Sequence, residues 1–307
     1  MAMEETPLIS VVLCTCNRGG AVSRTLQSLF ANSYPSLEVF VIDQNKDDSA
    51  RICLEEFIQD RGVHYFHSQQ RGLAHGRNFA VCHSQGDIIA CTDDDCDVSP
   101  DWLPQIARAF KSENRVGLVF GRVAAGPHDA SKGLIPCYEL RNAFLARSIK
   151  DKTHIDGMGA CMAFKRTVWE ALSGFDSMLG VGALFNSGDD NDFVIRALLA
   201  GFWIYETPDI CVVHNGFRTW TELNSLVFNY MFGTGALFAK HFKLKPWIIL
   251  RLLSSVLWRW LFKRPLIKYG TRTRRWYRLI CFTRGWWQGM RTPIDRERKI
   301  FCSPDPP

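Results

Sequence analysis

The chain has 307 residues, of which 47% are hydrophobic and 22% charged, so it is long enough for one large core and is not an intrinsically disordered chain. The formal net charge of +6 is unevenly distributed: residues 240–299 contain 17 Lys and Arg against two acids, whereas the rest of the chain contains 20 basic and 29 acidic residues. An acidic body with a strongly basic C-terminal segment predicts a polyanionic partner for that segment.

The cysteines and the first residues indicate a cytosolic protein. The eleven cysteines are odd in number, and several lie in apolar runs, so we expect reduced thiols that act as small hydrophobic residues. Residues 1–7 have neither the basic nor the apolar region of a secretory signal. No run of about 20 residues is apolar enough for a confident membrane span, and the charge-free stretch 223–239 is the one that could dip into a bilayer.

The first hundred residues alternate apolar runs with amphipathic patterns. Strands are predicted at 8–14, 37–43, 63–66 and 86–93, and helices at 21–31, 49–59 and 75–83. This βαβα order is typical of a doubly wound, mostly parallel sheet, in which ligands bind beyond the carboxyl ends of the strands. Asp43 and Asp93 both stand at such ends.

From about residue 116 the pattern is mixed. Strands are predicted at 116–123, 157–164 and 210–214, helices at 166–175 and 189–201, and a loop-rich stretch at 125–155. The short strand that ends at His214 is followed by an Asn-Gly turn. A histidine in this position is either structural or a metal ligand.

Three adjacent carboxylates, Asp93, Asp94 and Asp95, directly follow a buried strand. They repel one another and need a compensating cation, and hard oxygen ligands at a strand end suit Mg²⁺ or Mn²⁺ bridging to a substrate diphosphate. The alternative is a solvated acidic turn that caps the helix starting near Trp102.

A second acidic cluster, SGDDND, occupies residues 187–192. Asp189 or Asp190 could simply cap the helix that follows. Together with Asp192, however, they also predict an ionised carboxylate that accepts a proton from an attacking hydroxyl. Upstream, Arg71 and Arg77 flank a glycine-rich turn and are suited to pair with phosphate oxygens.

Taken together, these motifs resemble family-2 glycosyltransferases with the GT-A fold. The matching segments, in order, are VVLCTCNR, VIDQNKDDS, RGLAHGRNFAV, TDDDC, GMGACMAFKRTVWEALSGFD and SGDDNDFVIRALLAGF. The resemblance covers roughly residues 8–216. It implies a Rossmann-like α/β sheet flanked by helices, a nucleotide-sugar donor, a DxD metal site and an inverting reaction.

The resemblance also implies roles for the donor-side residues. Asp43 would contact the base or ribose, with Thr15 and Arg18 lining the same pocket, and Arg71 and Arg77 would lie near the diphosphate.

On the acidic side, the resemblance makes Asp93 and Asp95 the DxD carboxylates, with Asp95 favoured for direct metal contact and His214 as a further candidate ligand. Asp93 and Asp94 are counted among the donor-binding residues. Asp190 would be the general base, but the family's Glu-Asp pair is Asp-Asp here, which leaves Asp189 as an alternative.

The basic segment predicts a membrane-surface element. In the predicted helix 246–262, Arg251 and Arg259 share one arc with two serines, opposite an apolar arc, and six of the ten tryptophans lie within 240–299. Aromatic faces flanked by cations suit the headgroup region of an anionic bilayer. The alternatives are a helix packed on the catalytic domain and RNA binding, for which no recognised motif is present.

We therefore predict a glycosyltransferase that uses Mg²⁺ or Mn²⁺, a nucleotide-diphosphate sugar (a UDP-sugar is favoured) and a saccharide or lipid-linked acceptor. Residues 1–220 are predicted to form the catalytic domain, with a nucleotide-binding half at about 8–120 and an acceptor-side half at about 121–220. Residues 221–307 would form a helical, tryptophan-rich segment on the cytoplasmic face of a membrane. A nucleic-acid partner is not expected, and no oligomeric state is predicted.

Two rival functions share these motifs. A sugar nucleotidyltransferase would also bind a nucleotide and a metal, but it would release pyrophosphate and would not need the acidic helix start at 188–192. A catalytically silent nucleotide-sugar or membrane-binding scaffold would have no need of a base such as Asp190.

Overall fold

The first half of the chain folds as its apolar pattern predicts. A computed structural model describes residues 6–16, 18–262 and 275–303. Its first elements are β1 (Ile9–Thr15), α1 (Gly19–Phe30), β2 (Leu37–Asp43), α2 (Ser49–Asp60), β3 (His64–His67), α3 (Leu73–His83) and β4 (Ile88–Asp93). The four strands pair in parallel in the order β3-β2-β1-β4. The predicted bounds of these elements agree with the structure to within about two residues.

The second half completes a mixed sheet. Its elements are β5 (Cys96–Val98), α4 (Trp102–Ser112), β6 (Val116–Ala125), β7 (Gly133–Leu134), β8 (Phe144–Ala146), β9 (Cys161–Lys165), α5 (Arg166–Ala171), α6 (Asp189–Leu199), β10 (Trp203–His214) and β11 (Arg218–Thr219). Within the described residues nine strands join in one sheet, which continues from β4 through β9, β6, β10 and β5, with β8 also on β10. Strand β9 is antiparallel to both neighbours, whereas β6 and β10 are parallel. The predicted α/β class, a mostly parallel sheet flanked by helices, is confirmed.

Besides the helix predicted at 166–175, which ends at Ala171, three local predictions need correction. The strand predicted at 157–164 begins only at Cys161, and the strand predicted at 210–214 begins at Trp203. The second error arises because Pro208 interrupts the apolar pattern, and the sheet accommodates it by a register shift between Thr207 and Cys211. The loop-rich stretch 125–155 contains β7, β8 and a 3₁₀ turn at Ile149–His154.

Helices cover both faces of the sheet because alternate strand residues point to opposite sides. Leu13 of β1 shares a hydrophobic cluster with Leu26 of α1. Its neighbour Val12 belongs to a second cluster with Val81 of α3 and Phe193 of α6. The edge formed by the carboxyl ends of β1, β2 and β4 lies between these two layers.

The chain then forms α7 (Leu223–Leu244), α8 (Pro246–Phe262) and α9 (Arg275–Arg291), followed by β12 (Ile294–Asp295) and β13 (Ile300–Phe301). Tyr277, near the start of α9, donates to the carbonyl of Asn224 near the start of α7 at 3.3 Å. Gly289, near the end of α9, packs on Ala236 farther along α7. These two contacts show that α7 and α9 run parallel.

Helix α7 contains the charge-free stretch 223–239 and packs against other helices of the protein. Phe232, Ala236 and Leu237 are buried in a cluster that includes Ile195 of α6 and Ile249 of α8. Among the helices in the described part of the chain, none has both the length and the apolar character needed to cross a bilayer. Of the predicted arc on α8, Arg251 is exposed, and the side chain of Arg259 lies outside the described residues.

Candidate active site

The candidate site lies at the carboxyl ends of three parallel strands. In the sheet register Thr15 of β1 pairs with Asp43 of β2, and Cys14 pairs with Asp93 of β4. Because the ends of these strands coincide, side chains from distant parts of the sequence meet at one edge, as predicted.

The acidic triplet that follows β4 is held by residues of β1 and the turn after it. Thr15 Oγ1 donates to Asp94 Oδ2 at 2.7 Å, and Arg18 Nη1 donates to Asp94 Oδ1 at 3.2 Å. Arg18 also pairs with Asp95. Burial raises the pKa of Asp94 to about 6, although the Thr15 hydrogen bond and Arg18 oppose the increase.

The triplet is not the solvated acidic turn that the sequence left open. The side chains of Asp94 and Asp95 are only 7% and 8% exposed. Helix α4 begins seven residues after Asp95, at Trp102, and the residue preceding it is Asp101. Asp94 and Asp95 are therefore internal carboxylates whose charge needs internal compensation, whereas the side chain of Asp93 is 30% exposed.

His214 is brought to Asp95 by strand β5, which the sequence analysis missed because it is only three residues long. Antiparallel pairing places His214 opposite Cys96, and His214 Nε2 lies 3.2 Å from Asp95 Oδ1. The other ring nitrogen, Nδ1, lies 2.8 Å from the Pro136 carbonyl oxygen, which can only accept, so Nδ1 carries a proton. Burial lowers the pKa of His214, but the Asp95 carboxylate outweighs burial and the net pKa is raised.

These residues fit the predicted divalent cation. The ligand atoms of Asp93, Asp95, Cys96 and His214 lie within 4.8 Å of one another. Asp95 Oδ1 is buried and has no well-aligned hydrogen bond within the described residues, and the group that faces it at 3.2 Å, His214 Nε2, is itself a candidate ligand. Burial raises the pKa of the Cys96 thiol well above its usual value, which leaves two carboxylates and an imidazole as donors. Such a set suits Mn²⁺ and, through its oxygens, Mg²⁺.

Asp43 is fully buried at the edge beside Thr15. Its Oδ1 accepts the backbone N–H of Asn45 at 2.8 Å, and its Oδ2 accepts the Tyr65 hydroxyl at 2.5 Å. Burial and then the bond to Asp43 raise the pKa of Tyr65. The carboxylate thus orders the turn after β2, and Tyr65 is a partner that the sequence analysis did not identify.

The two predicted phosphate-binding arginines lie in different environments. Arg71 is exposed in the loop before α3. Arg77 is buried, donates from Nη1 to Asp189 Oδ2 at 2.8 Å and from Nη2 to the Gly159 carbonyl at 3.0 Å, and has Nη2 3.8 Å from Asp93 Oδ1. Arg77 therefore joins the acidic triplet to the start of α6, and its guanidinium is occupied by protein groups.

The two candidate bases are distinguished by Arg77. Asp189 is buried in the ion pair, and burial raises its pKa to about 6 against the influence of Arg77. Asp190 is half-buried, and its Oδ2 accepts the Gly159 N–H at 3.1 Å. Of the two, Asp190 has the more accessible carboxylate.

Asp192, the third acid of the helix start, is structural. It is fully buried, accepts hydrogen bonds from Arg196 Nε and His241 Nε2, both at 2.8 Å, and forms an ion pair with Lys240 Nζ at 2.6 Å. Burial disfavours its charge, but Lys240 and Arg196 lower its pKa below the usual range. Lys240 also pairs with Asp176 at 2.6 Å. This buried charge cluster fixes α7 to the helix that carries Asp189 and Asp190.

Helix α7 also brings a tyrosine to the site. Burial, and then the neighbouring Asp190 carboxylate, raise the pKa of Tyr230 to about 12, and Arg218 opposes them. The positive charge of Arg218, a residue of β11, also lowers the pKa of Asp95. Neither residue belongs to a recognisable motif, so the sequence offered no signal for them.

Comparison with known proteins establishes the family. The sequence profile of glycosyl transferase family 2 matches residues 10–172, more than half of the chain, and the chain belongs to this family. It is 26% identical to the glucosyl-dolichyl phosphate glucuronosyltransferase of Haloferax volcanii over 241 residues, which are 72% of this chain and 73% of that protein. It is 27% identical to the succinoglycan biosynthesis protein ExoM of Rhizobium meliloti over 216 residues, 68% of this chain and 67% of the relative.

Solved structures share the fold. The mannosyltransferase PcManGT from Pyrobaculum calidifontis, in complex with GDP-Man and Mn²⁺, aligns with a TM-score of 0.61 and 19% identity over 92% of this chain and 88% of that chain. Residues 1–349 of S. aureus TarS in complex with UDP-GlcNAc align with a TM-score of 0.60 and 12% identity over 92% of this chain and 90% of that chain. The predicted GT-A fold is confirmed, and the protein is a family-2 glycosyltransferase.

Proposed function

We propose that the protein is an inverting, cation-assisted glycosyltransferase with Asp190 as its general base. The observation that carries this proposal is the position of Arg77, which lies between Asp93 and Asp189. By pairing with Asp189, Arg77 leaves the adjacent Asp190 as the accessible carboxylate, next to the group that fits a cation. Base and cation site are thereby held on one buried framework.

In the proposed reaction Asp190 takes the proton of an acceptor hydroxyl, whose oxygen attacks the anomeric carbon of the donor sugar. The bond from that carbon to the diphosphate oxygen breaks, and a nucleoside diphosphate leaves from the opposite face. Asp93, Asp95 and His214 would hold Mg²⁺ or Mn²⁺, which offsets charge on the leaving diphosphate. Asp43, Thr15 and the turn after β1 would receive the nucleoside.

The donor and acceptor classes are also part of the proposal. PcManGT and TarS bind GDP-Man and UDP-GlcNAc respectively, which supports a nucleotide-diphosphate sugar, and a UDP-sugar remains our first choice. The name of the Haloferax relative includes a dolichyl phosphate, which supports a lipid-linked acceptor; a free saccharide is the alternative. Use of such an acceptor would place the protein peripherally on the cytoplasmic face of a membrane.

The experiment is a screen of the purified full chain against UDP- and GDP-sugars with Mn²⁺, in which released nucleoside diphosphate and pyrophosphate are measured separately. Release of a nucleoside diphosphate that increases with an added acceptor supports the proposal. Pyrophosphate release would identify a nucleotidyltransferase. Donor binding without turnover in the presence of any acceptor would identify a catalytically silent scaffold.

A further inference from the structure

The outward face of α9 is apolar, the reverse of what a helix on a soluble protein presents. Its inward side is formed by Cys281, Phe282, Gly285 and Gly289, which are buried. The opposite side carries large apolar side chains that are between 37% and 59% exposed, namely Trp276, Leu279, Ile280, Trp287 and Met290. At 100° per residue these five fall within one arc centred opposite the buried residues. We call this set the α9 face.

Exposed apolar residues are concentrated in this part of the molecule. Of the ten large hydrophobic residues that are exposed within the described chain, seven belong to α8 and α9; the two on α8 are Trp247 and Leu250. Scattered exposed apolar residues need no explanation, but a contiguous group indicates a binding surface.

Cations border the α9 face. Helix α9 contains four arginines and no acidic residue. Arg284 and Arg291 are exposed at one edge of the face, and the Arg291 guanidinium lies 4.3 Å from the ring centre of Trp287. Tryptophan beside arginine is typical of the interface between water and lipid headgroups.

The α9 face is also placed beside the candidate active site. Tyr277, next to Trp276, packs with Tyr230 around a small cluster formed by Leu134, Leu223 and Val227. Tyr230 in turn neighbours Asp190. Because α7 and α9 run parallel, the Trp276 end of the face lies at the same end of the helix pair as the proposed base.

We propose that the α9 face docks the protein on an anionic phospholipid bilayer. The indole rings of Trp276 and Trp287 would enter the headgroup region while the bordering arginines pair with lipid phosphates. A second copy of the chain is a poorer occupant, because a symmetric contact would bring the same arginines together and α9 itself has no acid to compensate them. The orientation of the site toward the bilayer rests on the proposed function, whereas docking itself requires no catalysis.

The test is flotation of the full chain with phosphatidylcholine vesicles that contain or lack phosphatidylglycerol. We expect flotation only with the anionic vesicles, weakened but not abolished by high salt, because salt screens charge and not apolar burial. The double variant Trp276→Gln/Trp287→Gln should lower the partition coefficient at least about tenfold. The control is Ile52→Gln on α2, which removes an apolar side chain that is more exposed, at 72%, than either tryptophan. This variant should float like the wild type.

The charge contribution is tested by Arg284→Ala, which should lower partitioning about fivefold, as expected for one cation near the surface. Arg108→Ala, an exposed arginine of α4, serves as its control. Circular dichroism and nucleoside diphosphate release with a water-soluble acceptor, measured on the same variants, separate docking from folding and catalysis. Flotation without transfer activity would contradict only the proposed function.

Three results would overturn docking. The first is a wild-type chain that does not float with anionic vesicles at low salt. The second is an equal loss of flotation in Ile52→Gln. The third is a lipid-free dimer, measured by light scattering, that Trp276→Gln/Trp287→Gln converts to a monomer without any vesicle binding, which would assign the face to a second copy.

Discussion

Arg77 Nη1 donates to Asp189 Oδ2 at 2.8 Å, and both side chains are buried beneath the first turn of α6. The pair joins two segments that lie more than a hundred residues apart in the chain. It gives adjacent, chemically identical aspartates different environments, because the Asp189 carboxylate is paired inside the protein and the Asp190 carboxylate is more accessible.

The two aspartates should therefore respond differently to the same substitution. Asp190→Asn should lower kcat for glycosyl transfer by roughly 10²–10⁴-fold, the usual contribution of a positioned base, while the Kd for the donor changes little. Steady-state kinetics and donor titration measure the two quantities. Full activity in this variant would remove Asp190 from the mechanism.

Asp189→Asn should act on stability. It leaves the buried Arg77 without its main counter-charge, and breaking a buried pair costs on the order of 3–5 kcal/mol in the free energy of unfolding. Urea unfolding measures this loss, and Asp101→Asn, an acid exposed before α4, should show little change. An Asp189→Asn protein as stable as the wild type would show that the Arg77 pair does not define the site.

Removal of the cation should abolish transfer. Chelation by EDTA should eliminate activity, and Mn²⁺ should restore it, because Asp93, Asp95 and His214 form a set that suits that ion. Asp95→Asn should raise the Mn²⁺ concentration needed for half-maximal activity by at least about tenfold. Activity that survives exhaustive chelation would contradict the assignment of these residues.

Glu206 should make stability depend on pH. It is buried, accepts the Gly157 N–H at 2.8 Å and the Tyr138 hydroxyl at 3.0 Å, and burial raises its pKa from 4.5 to about 7. Because the folded state holds the proton more tightly than the unfolded chain, the stabilisation is complete below pH 4.5 and is lost as the pH rises to about 7. The loss amounts to about 3 kcal/mol.

Glu206→Gln should lack this contribution. Urea unfolding at pH 5 and pH 8 should show that the wild type loses about 2.5 kcal/mol more than the variant over this interval, because part of the contribution is already lost at pH 5. Asp94 and Asp189, whose pKa values are also raised, are present in both proteins, so the difference isolates Glu206. Equal pH dependence in the two proteins would refute the prediction.

Lys240 should stabilise the attachment of α7. Lys240→Met leaves the buried Asp176 and Asp192 without their shared cation, and we expect a loss on the order of 3–5 kcal/mol. Lys245→Met, an exposed lysine at the end of the same helix, is the matched control. Equal unfolding midpoints for the two variants would contradict a structural role for the buried charge cluster.

How well the sequence predicted the structure depended on the range of each contact. Strands β1, β2 and β4 were predictable because burial on both faces gives continuous apolar runs. The acids at their ends were predictable because parallel strands share an edge. The first half of β10 was not predictable, because Pro208 interrupts its apolar pattern. The burial of Lys240 was not predictable either, because in the sequence it is one of many cations in a basic segment, although in the structure it is fully buried.

The choice between Asp189 and Asp190 shows the same limit. Both residues lie in one helical turn of acidic sequence, and the feature that distinguishes them is a partner from α3. Tyr65 likewise acts across the fold through its hydrogen bond to Asp43, and the Asp190 carboxylate raises the pKa of Tyr230 from another helix. Such side-chain partners depend on tertiary packing, which local patterns do not encode.

The central claim is direct displacement at the anomeric carbon by a hydroxyl that Asp190 deprotonates. The measurement that tests it most directly is proton NMR of the product formed from an α-linked nucleotide-diphosphate sugar, with wild type and Asp190→Asn in parallel. We predict a β-linked product from the wild type, equimolar with the nucleoside diphosphate, and a rate at least about a hundredfold lower from the variant. An α-linked product, or an unchanged rate in the variant, would contradict the account.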